Sequence, residues 1–190
     1  MSGMLSDAGK TGRLFFGIEL PGSVRSGMAS KLPRSGRGLR LTKRENMHLT
    51  LRFVGSVDVD AMDDVRADLA SLSVERFTLP LEGIGRFPPR GMIRVVWVGL
   101  GAGHPRLFQL RKEIDDTLLR RGVECELRDF VPHLTLARVE PGGQGAAEHL
   151  LRQFCDFEGP VISVDEVCLF ESTLTSEGPF YSVVERFALR

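Results

Sequence analysis

The sequence predicts an α+β fold of two lobes, related by a pseudo-two-fold axis, in which antiparallel sheets carry helices on their outer sides. Three observations support this prediction. Apolar runs and alternating stretches typical of strands are interspersed with stretches of helical periodicity. The order strand, helix, strand, strand occurs in both halves of the chain. In each half one strand carries the same tetrapeptide, His-Leu-Thr-Leu, at residues 48–51 and 133–136.

In the first half, apolar runs that end at Gly or Pro predict strands, because these residues interrupt strand pairing. Residues 58–72 begin with an Asp that can cap a helix, and their apolar positions recur at helical spacing. Residues 88–91 (PPRG) separate two runs and predict a hairpin. The predicted strands are 13–20, a brief strand within 34–46, 48–55, 76–87 and 92–100, and the predicted helices are 22–33 and 58–72.

The second half contains the clearest helix, at residues 104–122. Its apolar residues recur every three or four positions, and Gly122 follows as a C-cap. The predicted strands of this half are 131–139, 161–172 and 179–189, and its second helix is 146–154. No linker rich in Pro, Ser or charge divides the two halves. We therefore predict a flexible tail at residues 1–12 and a single two-lobed domain at residues 13–190.

Composition excludes several classes of protein. The chain has 25 basic and 25 acidic residues, so an anionic partner must be held by a local patch rather than by overall charge. Three cysteines without a CxxC pair argue against a disulfide framework and a thiolate zinc site. The chain has neither an apolar run long enough for a membrane span nor a signal-peptide core. We expect a cytoplasmic protein without a membrane segment.

The repeated tetrapeptide divides between two faces of each strand, because successive side chains point to opposite sides of a sheet. His48 and Thr50 share one face, and His133 and Thr135 share the equivalent face in the second half. The leucines lie on the opposite side, where they can pack against helices. If the lobes are related by a two-fold axis, the two polar faces meet across one cleft.

Two imidazoles that face one space suit the displacement of a phosphodiester. The pKa of free imidazole is about 6.5, so one histidine can act as a base near neutrality while the other acts as an acid. The base takes a proton from the attacking oxygen, and the acid protonates the departing oxygen. The hydroxyls of Thr50 and Thr135 can donate to the non-bridging phosphate oxygens. This chemistry requires no metal ion or other cofactor, and we expect none.

The motifs and their surroundings resemble the 2H phosphoesterase superfamily, which is named for two His-x-Thr/Ser-x motifs. The resemblance is closer to the LigT-like RNA 2′,3′-cyclic phosphodiesterases, also called 2′-5′ RNA ligases. It extends from about residue 13 to the C-terminus. The matching stretches are RLFFGIELP, ENMHLTLRFVG, GIGRFP with RVVWVGL, FVPHLTLARV and VCLFESTLTSEGPFYSVVERFAL.

The resemblance implies an enzyme that opens the 2′,3′-cyclic phosphate at an RNA 3′ end and leaves a 2′-phosphomonoester. It implies His48 as proton donor to the leaving 3′ oxygen and His133 as proton acceptor from water. The residues alone leave these roles interchangeable, because the reverse reaction exchanges them. With a ribose 5′-hydroxyl instead of water, the same site would form a 2′-5′ linkage without ATP. The expected partners are such RNA ends, including tRNA fragments, and we expect a monomer.

Other residues near the motifs are candidates for substrate binding. The resemblance favours Arg138 as a phosphate contact. Strict alternation places it on the far face, so a bulge or a strand end must turn it inward, and otherwise it faces solvent. Alternation places Arg52 on the face of His48 and Thr50, so it could reach the cleft and bind substrate, or it could simply pair with an acidic residue. The basic segment 34–44 could follow an RNA backbone or could be a solvated connection. Phe16, Phe53 and Phe87 fall near predicted strand ends, where an exposed ring could stack on a base, although most aromatic residues in such strands belong to the core.

Two alternative functions remain open at this point. One is a 2H enzyme that acts on a smaller cyclic phosphate, such as a cyclic nucleotide or an ADP-ribose derivative. The other is a non-catalytic module that binds RNA or a nucleotide in the same cleft. A matched acid and base argue against the second alternative, because binding alone does not need them.

Overall fold

The chain is described by a computed structural model that covers residues 11–33, 38–58, 62–124, 129–176 and 178–190. The first strand, β1 (Thr11–Glu19), begins before the predicted domain boundary at residue 13. Of the predicted tail 1–12, residues 1–10 lie outside the described residues. Residues 11 and 12, by contrast, belong to β1, so their assignment to the tail is wrong.

The other elements follow the predicted order of strands and helices. The first half contains α1 (Gly22–Lys31), β2 (Leu39–Leu41), a 3₁₀ turn (Arg44–Asn46), β3 (His48–Asp58), α2 (Asp63–Leu69), β4 (Phe77–Glu82), β5 (Ile84–Phe87) and β6 (Val95–Val98). The second half contains α3 (Pro105–Arg120), β7 (Leu134–Val139), α4 (Gln144–Gln153), β8 (Glu158–Val164), β9 (Glu166–Thr175) and β10 (Gly178–Ala188).

Two predicted strands are each divided into two. The run 76–87 breaks at Gly83, whose φ of +76° lies in the left-handed region that favours glycine. The chain changes direction there, so β4 pairs with β8 while β5 pairs with β6. The run 161–172 breaks at Asp165, and β8 and β9 likewise join different sheets. A continuous apolar run cannot reveal such a change of sheet.

Most strands form one antiparallel sheet in the order β10-β9-β1-β3-β7-β6-β5, in which β2 also pairs with β7. β4 and β8 form a separate pair. The lobes are the two parts of the large sheet on either side of the junction between β3 and β7. This junction pairs Leu49 with Leu134, the equivalent leucines of the two tetrapeptides. The pseudo-two-fold axis therefore passes between the two motifs.

Each lobe also includes strands from the other half of the chain. β9 and β10, from the second half, extend the first lobe outward from β1, and β5 and β6, from the first half, extend the second lobe outward from β7. The β4–β8 pair likewise joins the two halves. The halves therefore share a continuous core, which agrees with the absence of a linker between them.

The outer helices close this core on the side away from the cleft. The predicted stripe of α3 is buried in full, with exposures of at most 1% for Leu107, Leu110, Ile114 and Leu118. His104 caps this helix, because its Nδ1 accepts a hydrogen bond from the backbone N–H of Arg106 at 3.2 Å. Within the described ranges, none of the helices combines the length and apolar character required to cross a membrane.

Candidate active site

The two tetrapeptides meet at one cavity of about 210 Å³. The leucines of both motifs are at most 2% exposed and point away from it into the core. The alternation of the strands thereby turns the polar side chains toward the cavity, as predicted. The lining residues are Arg40, Leu41, Thr42, Lys43, Asn46, His48, Thr50, Phe53, His133, Thr135, Arg138, Gly178, Pro179 and Tyr181.

Both histidines are oriented by the same local contact. Nδ1 of His48 lies 2.8 Å from the carbonyl oxygen of Asn46, and Nδ1 of His133 lies 2.7 Å from that of Val131. A carbonyl oxygen can only accept, so each Nδ1 carries the hydrogen and each neutral ring has its lone pair on Nε2. In each motif the carbonyl belongs to the residue two positions earlier. Both rings therefore have Nε2 as the nitrogen that can exchange a proton.

The first threonine is paired directly with its histidine. Thr50 Oγ1 lies 3.0 Å from His48 Nε2. When the imidazole is neutral the hydroxyl donates to Nε2, and when the imidazole is protonated the direction reverses. Thr135 occupies the equivalent position beside His133 and also lines the cavity. A bound phosphate can therefore meet an imidazole and a hydroxyl from each lobe.

Aromatic rings enclose His48 on several sides. Its ring centroid lies 4.8 Å from that of Phe15, 5.7 Å from that of Phe170 and 5.0 Å from that of Tyr181. These rings come from β1, β9 and β10, the other three strands of the first lobe. The enclosure places the imidazole in an environment of low polarity and holds its ring plane.

His133 has a more open aromatic environment in the second lobe. Its ring lies 5.0 Å from that of Phe87 and 5.8 Å from that of Trp97, between centroids. Gly85 makes room for the indole, because a Cβ at this position would lie 2.1 Å from the ring of Trp97. Both histidines are thus supported by aromatic side chains from neighbouring strands, but His48 is the more enclosed.

Burial makes both imidazoles weak bases in the free protein. It lowers the pKa of His48 to about 4, against the opposing effect of the Asn46 carbonyl, and His133 adds a small repulsion in the same direction. Burial also lowers the pKa of His133, and the positive charge of Arg138 contributes to this shift. Near neutrality both rings are therefore uncharged before an anion binds.

The lowered pKa of His48 predicts a loss of stability in acid. The unfolded chain takes up a proton at this ring as the pH falls through about 6.5, whereas the folded protein resists protonation until about pH 4. Stability should therefore fall between these values, by about 2–3 kcal/mol from this ring near pH 4.5. Urea unfolding near pH 7 and near pH 4.5 measures the loss. His48→Gln should reduce it by that amount, and an equal loss in both proteins would contradict the assignment.

A bulge turns Arg138 toward the cavity. In the pairing of β7 with β6, Thr135 lies opposite Trp97 and Ala137 lies opposite Val96, so Leu136 is an extra residue. An extra residue reverses the alternation beyond it. Arg138 consequently lies on the cavity face and lines the site, as the prediction required.

A similar bulge removes Arg52 from the site. In the pairing of β3 with β1, Thr50 lies opposite Gly17 and Arg52 lies opposite Phe16, so Leu51 is the extra residue. Arg52 is therefore turned away from the cavity, and its placement there by simple alternation is wrong. Arg52 is 6% exposed, and its guanidinium makes a bidentate ion pair with Asp115 of α3, with Nε 2.5 Å from Oδ1.

The bulge in β3 also turns Phe53 toward the cavity. Phe53 is 62% exposed and lines the site. It stands five positions after His48, as Arg138 stands five positions after His133. Of the aromatic residues considered for stacking, Phe16 is fully buried and Phe87 packs against His133. Phe53 is thus the one that a base can reach.

Other lining residues were not singled out in the sequence. Asn46 precedes the first motif, and its Nδ2 donates to the carbonyl oxygen of Pro179 at 2.8 Å. This bond fixes the start of β10, and with it Tyr181, against the first motif.

The basic segment 34–44 contributes two side chains to the site. Residues 34–37 lie outside the described residues, while Arg40 and Lys43 line the cavity and Arg44 does not.

One group of side chains has the donor types of a metal site. Ligand atoms of Glu19, Glu166 and Cys168 lie within 4.8 Å of one another. However, Arg186 lies among them and donates to all three groups, with Nη2 2.5 Å from Glu19 Oε2 and Nη1 3.5 Å from Cys168 Sγ. Burial also raises the pKa of the Cys168 thiol to about 11. The guanidinium already supplies the positive charge, so this group does not fit a metal ion.

A duplicated α+β fold that presents a His-Thr pair from each half to one cavity defines a phosphoesterase with two histidines. The comparison with protein families agrees with this class. Residues 25–97 and 100–181 match the family described as LigT like Phosphoesterase, and the chain belongs to this family.

Curated relatives cover nearly the whole chain. An RNA 2′,3′-cyclic phosphodiesterase from Aeropyrum pernix is 36% identical over 159 residues, which are 83% of this chain and 90% of the relative. Another from Methanocaldococcus jannaschii is 31% identical over 177 residues, or 92% of this chain and 99% of the relative.

Solved structures share the same architecture. E. coli LigT in complex with 3′-AMP superposes with a TM-score of 0.75 at 26% identity and covers 95% of this chain and 99% of LigT. The apo form of E. coli LigT gives a TM-score of 0.76 at 26% identity, over 95% of this chain and 98% of LigT. The α+β fold predicted from the sequence is confirmed.

Proposed function

We propose that the protein hydrolyses the 2′,3′-cyclic phosphate at an RNA 3′ end to a 2′-phosphomonoester by acid–base catalysis with two histidines. One observation carries the proposal. Each half of the chain brings to one cavity a histidine whose Nδ1 is held by a backbone carbonyl, which leaves Nε2 for proton exchange. The relatives named above are RNA 2′,3′-cyclic phosphodiesterases, which supports the choice of substrate.

The reaction assigns one proton transfer to each lobe. Nε2 of His133 takes a proton from water, and the resulting hydroxide attacks phosphorus on the side opposite the 3′ oxygen. The bond between phosphorus and the 3′ oxygen breaks, and Nε2 of His48 gives its proton to that oxygen. The products are a 2′-phosphomonoester and a free 3′-hydroxyl. Afterwards His133 is protonated and His48 is neutral, so a proton returns through solvent before the next turnover.

The enclosure of His48 suits the donor role once substrate is bound. A cyclic phosphate carries a negative charge, and this charge next to the ring favours the imidazolium, which raises the pKa of His48 from its low value in the free protein. A ring with an intrinsically low pKa is also a strong acid when protonated, which helps a poor leaving group such as the 3′ alkoxide. His133 is neutral near pH 7 and can act as the base.

The remaining polar side chains of the site can bind the phosphate. The hydroxyls of Thr50 and Thr135 can donate to the non-bridging oxygens, which gain negative charge as the bond to the 3′ oxygen breaks. The guanidinium of Arg138 adds positive charge from the second lobe. Phe53 offers a flat exposed surface for the terminal base. With a ribose 5′-hydroxyl in place of water, the same groups would join that hydroxyl to the cyclic phosphate in a 2′-5′ linkage and release the 3′-hydroxyl.

Positive side chains beside the cavity favour RNA over a smaller cyclic phosphate as substrate. Arg40 and Lys43 line the cavity beyond the two histidine motifs. A mononucleotide does not need charges in that position, whereas a polynucleotide carries further phosphates. We extend the proposal to fragments of structured RNAs such as tRNA, to action as a monomer and to a cytoplasmic location. The odd number of cysteines without a CxxC pair supports the last point.

A short RNA that ends in a 2′,3′-cyclic phosphate tests the proposed function. The RNA is incubated with the protein in excess EDTA, and the product isomer is identified by its resistance or sensitivity to further enzymes specific for 2′- or 3′-phosphates. We expect a 2′-phosphate, formed at a rate that the chelator does not change, because the proton transfers belong to side chains. A 3′-phosphate product would contradict the proposed geometry.

If the protein does not hydrolyse the RNA, two further results distinguish the alternative functions. Tight binding without product would favour the binding module, because the cavity would then hold RNA without reacting. Turnover of adenosine 2′,3′-cyclic phosphate or an ADP-ribose cyclic phosphate but not of RNA would favour the enzyme for small cyclic phosphates.

A further inference from the structure

Positive side chains lie together along the wall of the cavity formed by β2 and β7. Arg40 on β2, Arg138 on β7 and Lys43, two residues after the end of β2, all line the cavity. Among the described residues, none that lines the cavity is acidic. The opposite wall contains Phe53, Pro179 and Tyr181 and carries no charge. The cavity is therefore polarised, with a cationic side and an apolar side.

Arg40 and Arg138 are directly opposed on neighbouring antiparallel strands. Neighbouring strands are about 4.8 Å apart, and side chains of paired residues stand on the same face of a sheet. Two like charges in this arrangement repel each other and destabilise the pairing. In the described parts of the chain neither guanidinium has an ion pair with a carboxylate, although arginines elsewhere in the protein do. An anion bound between or beside them would offset this repulsion.

The position of Arg40 is fixed by the backbone rather than left to a mobile loop. Leu39 and Leu41 on either side of it pair with Val139 and Ala137 of β7. The N–H of Thr42 continues this ladder, donating to the carbonyl oxygen of Leu136 at 2.8 Å. Arg40 is thus held one strand away from Arg138, on the side of the cavity that lies beyond the catalytic groups.

The reacting phosphate does not account for both arginines. It must lie between the two histidines, and Arg138 is close enough to His133 to lower the pKa of that ring. The next phosphate along an RNA strand lies one ribose away, on the 5′ side of the terminal nucleotide. A base placed against the apolar wall at Phe53 leaves the backbone to follow the cationic wall past Arg138 toward Arg40.

We propose that Arg40, together with Lys43, forms a second phosphate subsite that binds the phosphodiester on the 5′ side of the terminal nucleotide. This inference rests on the proposed function and defines the substrate class more narrowly. The protein then prefers RNA oligomers that end in a cyclic phosphate over a mononucleoside cyclic phosphate. The preference arises from the wall of β2 and β7, not from the catalytic groups.

Three substrates and two variants test this subsite. The substrates are adenosine 2′,3′-cyclic phosphate with a 5′-hydroxyl, the same nucleotide with a 5′-phosphate, and the diadenosine dinucleotide that ends in a 2′,3′-cyclic phosphate. The variants are Arg40→Gln and Arg44→Gln. Arg44 belongs to the same basic segment, bonds to Ser26 Oγ at 3.2 Å and does not line the cavity, so it controls for the loss of one charge nearby.

We expect wild type to have a higher kcat/KM for the two substrates with a 5′-side phosphate than for the one without it. In Arg40→Gln the ratio of kcat/KM for the dinucleotide to that for the 5′-hydroxyl substrate should fall by about tenfold, the effect of one charge-assisted hydrogen bond. The salt dependence of dinucleotide binding, as the slope of log K against log salt, should decrease by about 0.7. Arg44→Gln should keep the wild-type ratio.

The outcomes separate this inference from the proposed function. If the ratio of kcat/KM for the dinucleotide to that for the 5′-hydroxyl substrate were the same in Arg40→Gln and wild type, the subsite would be overturned. An equal loss of kcat/KM on all three substrates would also overturn it, because Arg40 would then act on the reacting phosphate or on the fold. A loss confined to the 5′-phosphate mononucleotide would overturn the assignment to an internal phosphodiester. Turnover of the 5′-hydroxyl substrate by wild type tests the two-histidine hydrolysis without the subsite, because that substrate has no second phosphate, and absence of turnover on all three substrates would contradict the proposed function itself.

Discussion

Replacing either His48 or His133 with Ala should lower kcat for cyclic phosphate hydrolysis by about 10²- to 10⁴-fold. Each substitution removes one proton transfer, which corresponds to about 3–5 kcal/mol of barrier. The fold should persist, because both rings line the cavity rather than fill the core. His149→Ala is the matched control, since His149 lies exposed on α4 and does not line the cavity. Its kcat should equal that of wild type.

The pH dependence of kcat distinguishes the two roles. Wild type should give a bell-shaped profile, with one limb for the base and one for the acid. In His133→Ala the acidic limb should disappear, because the group that must be deprotonated is absent. In His48→Ala the alkaline limb should disappear. Loss of the opposite limb in each variant would exchange the proposed roles, and a flat wild-type profile between about pH 5 and pH 8 would contradict paired histidine catalysis.

Replacing Asp115 with Ala should lower the free energy of unfolding by about 3 kcal/mol, the lower end of the range for breaking a buried ion pair. The side chain of Arg52 is 7% exposed and loses the carboxylate that compensates its burial, whereas Asp115 is 31% exposed, which moderates the loss. Asp115 also accepts from Arg111 Nε at 2.8 Å, and Arg111 donates to the carbonyl of Leu51, the extra residue of the β3 bulge. Urea unfolding at neutral pH measures the change.

The neighbouring residue provides the control for this stability prediction. Asp116 pairs with Lys112 on the surface of the same helix, with side-chain exposures of 47% and 74%. Asp116→Ala should therefore change the free energy of unfolding by about 0.5 kcal/mol or less. If Asp115→Ala were as stable as Asp116→Ala while turnover fell, Arg52 would act on the substrate and its assignment to the core would be wrong.

The local pattern of the sequence predicted the parts of the site that depend on one strand at a time. The alternation in each HLTL segment correctly separated His48 and Thr50 from the leucines, because the period of a strand is fixed by backbone geometry. The same reasoning failed for Arg52 and required a bulge for Arg138. A bulge depends on how two strands pair, and nothing in the residues 48–55 identifies Leu51 as the extra one.

The enclosure of His48 could not be predicted for a different reason. Phe15 and His48 are far in the sequence from Phe170 and Tyr181, and these rings meet only because β9 and β10 join the first lobe beside β1. Strand order within a sheet is a non-local property that periodicity does not contain. The lowered pKa of His48, which depends on this enclosure, was equally hidden. The ion pair between Arg52 and Asp115 on α3 also joins distant parts of the chain, so periodicity could not identify Asp115 as the partner.

The exchange of strands between the halves affects how the protein folds while the ribosome synthesises it. β1 and β3 emerge early, but their lobe is completed only when β9 and β10 have been synthesised. Pairings between distant parts of a chain close large loops, which slows folding and exposes unpaired strand edges meanwhile. A nascent chain that ends before β9 holds both histidines but lacks Phe170 and Tyr181. The proposed catalytic site is thus completed late in translation, and truncated products of this gene should accumulate as inactive protein.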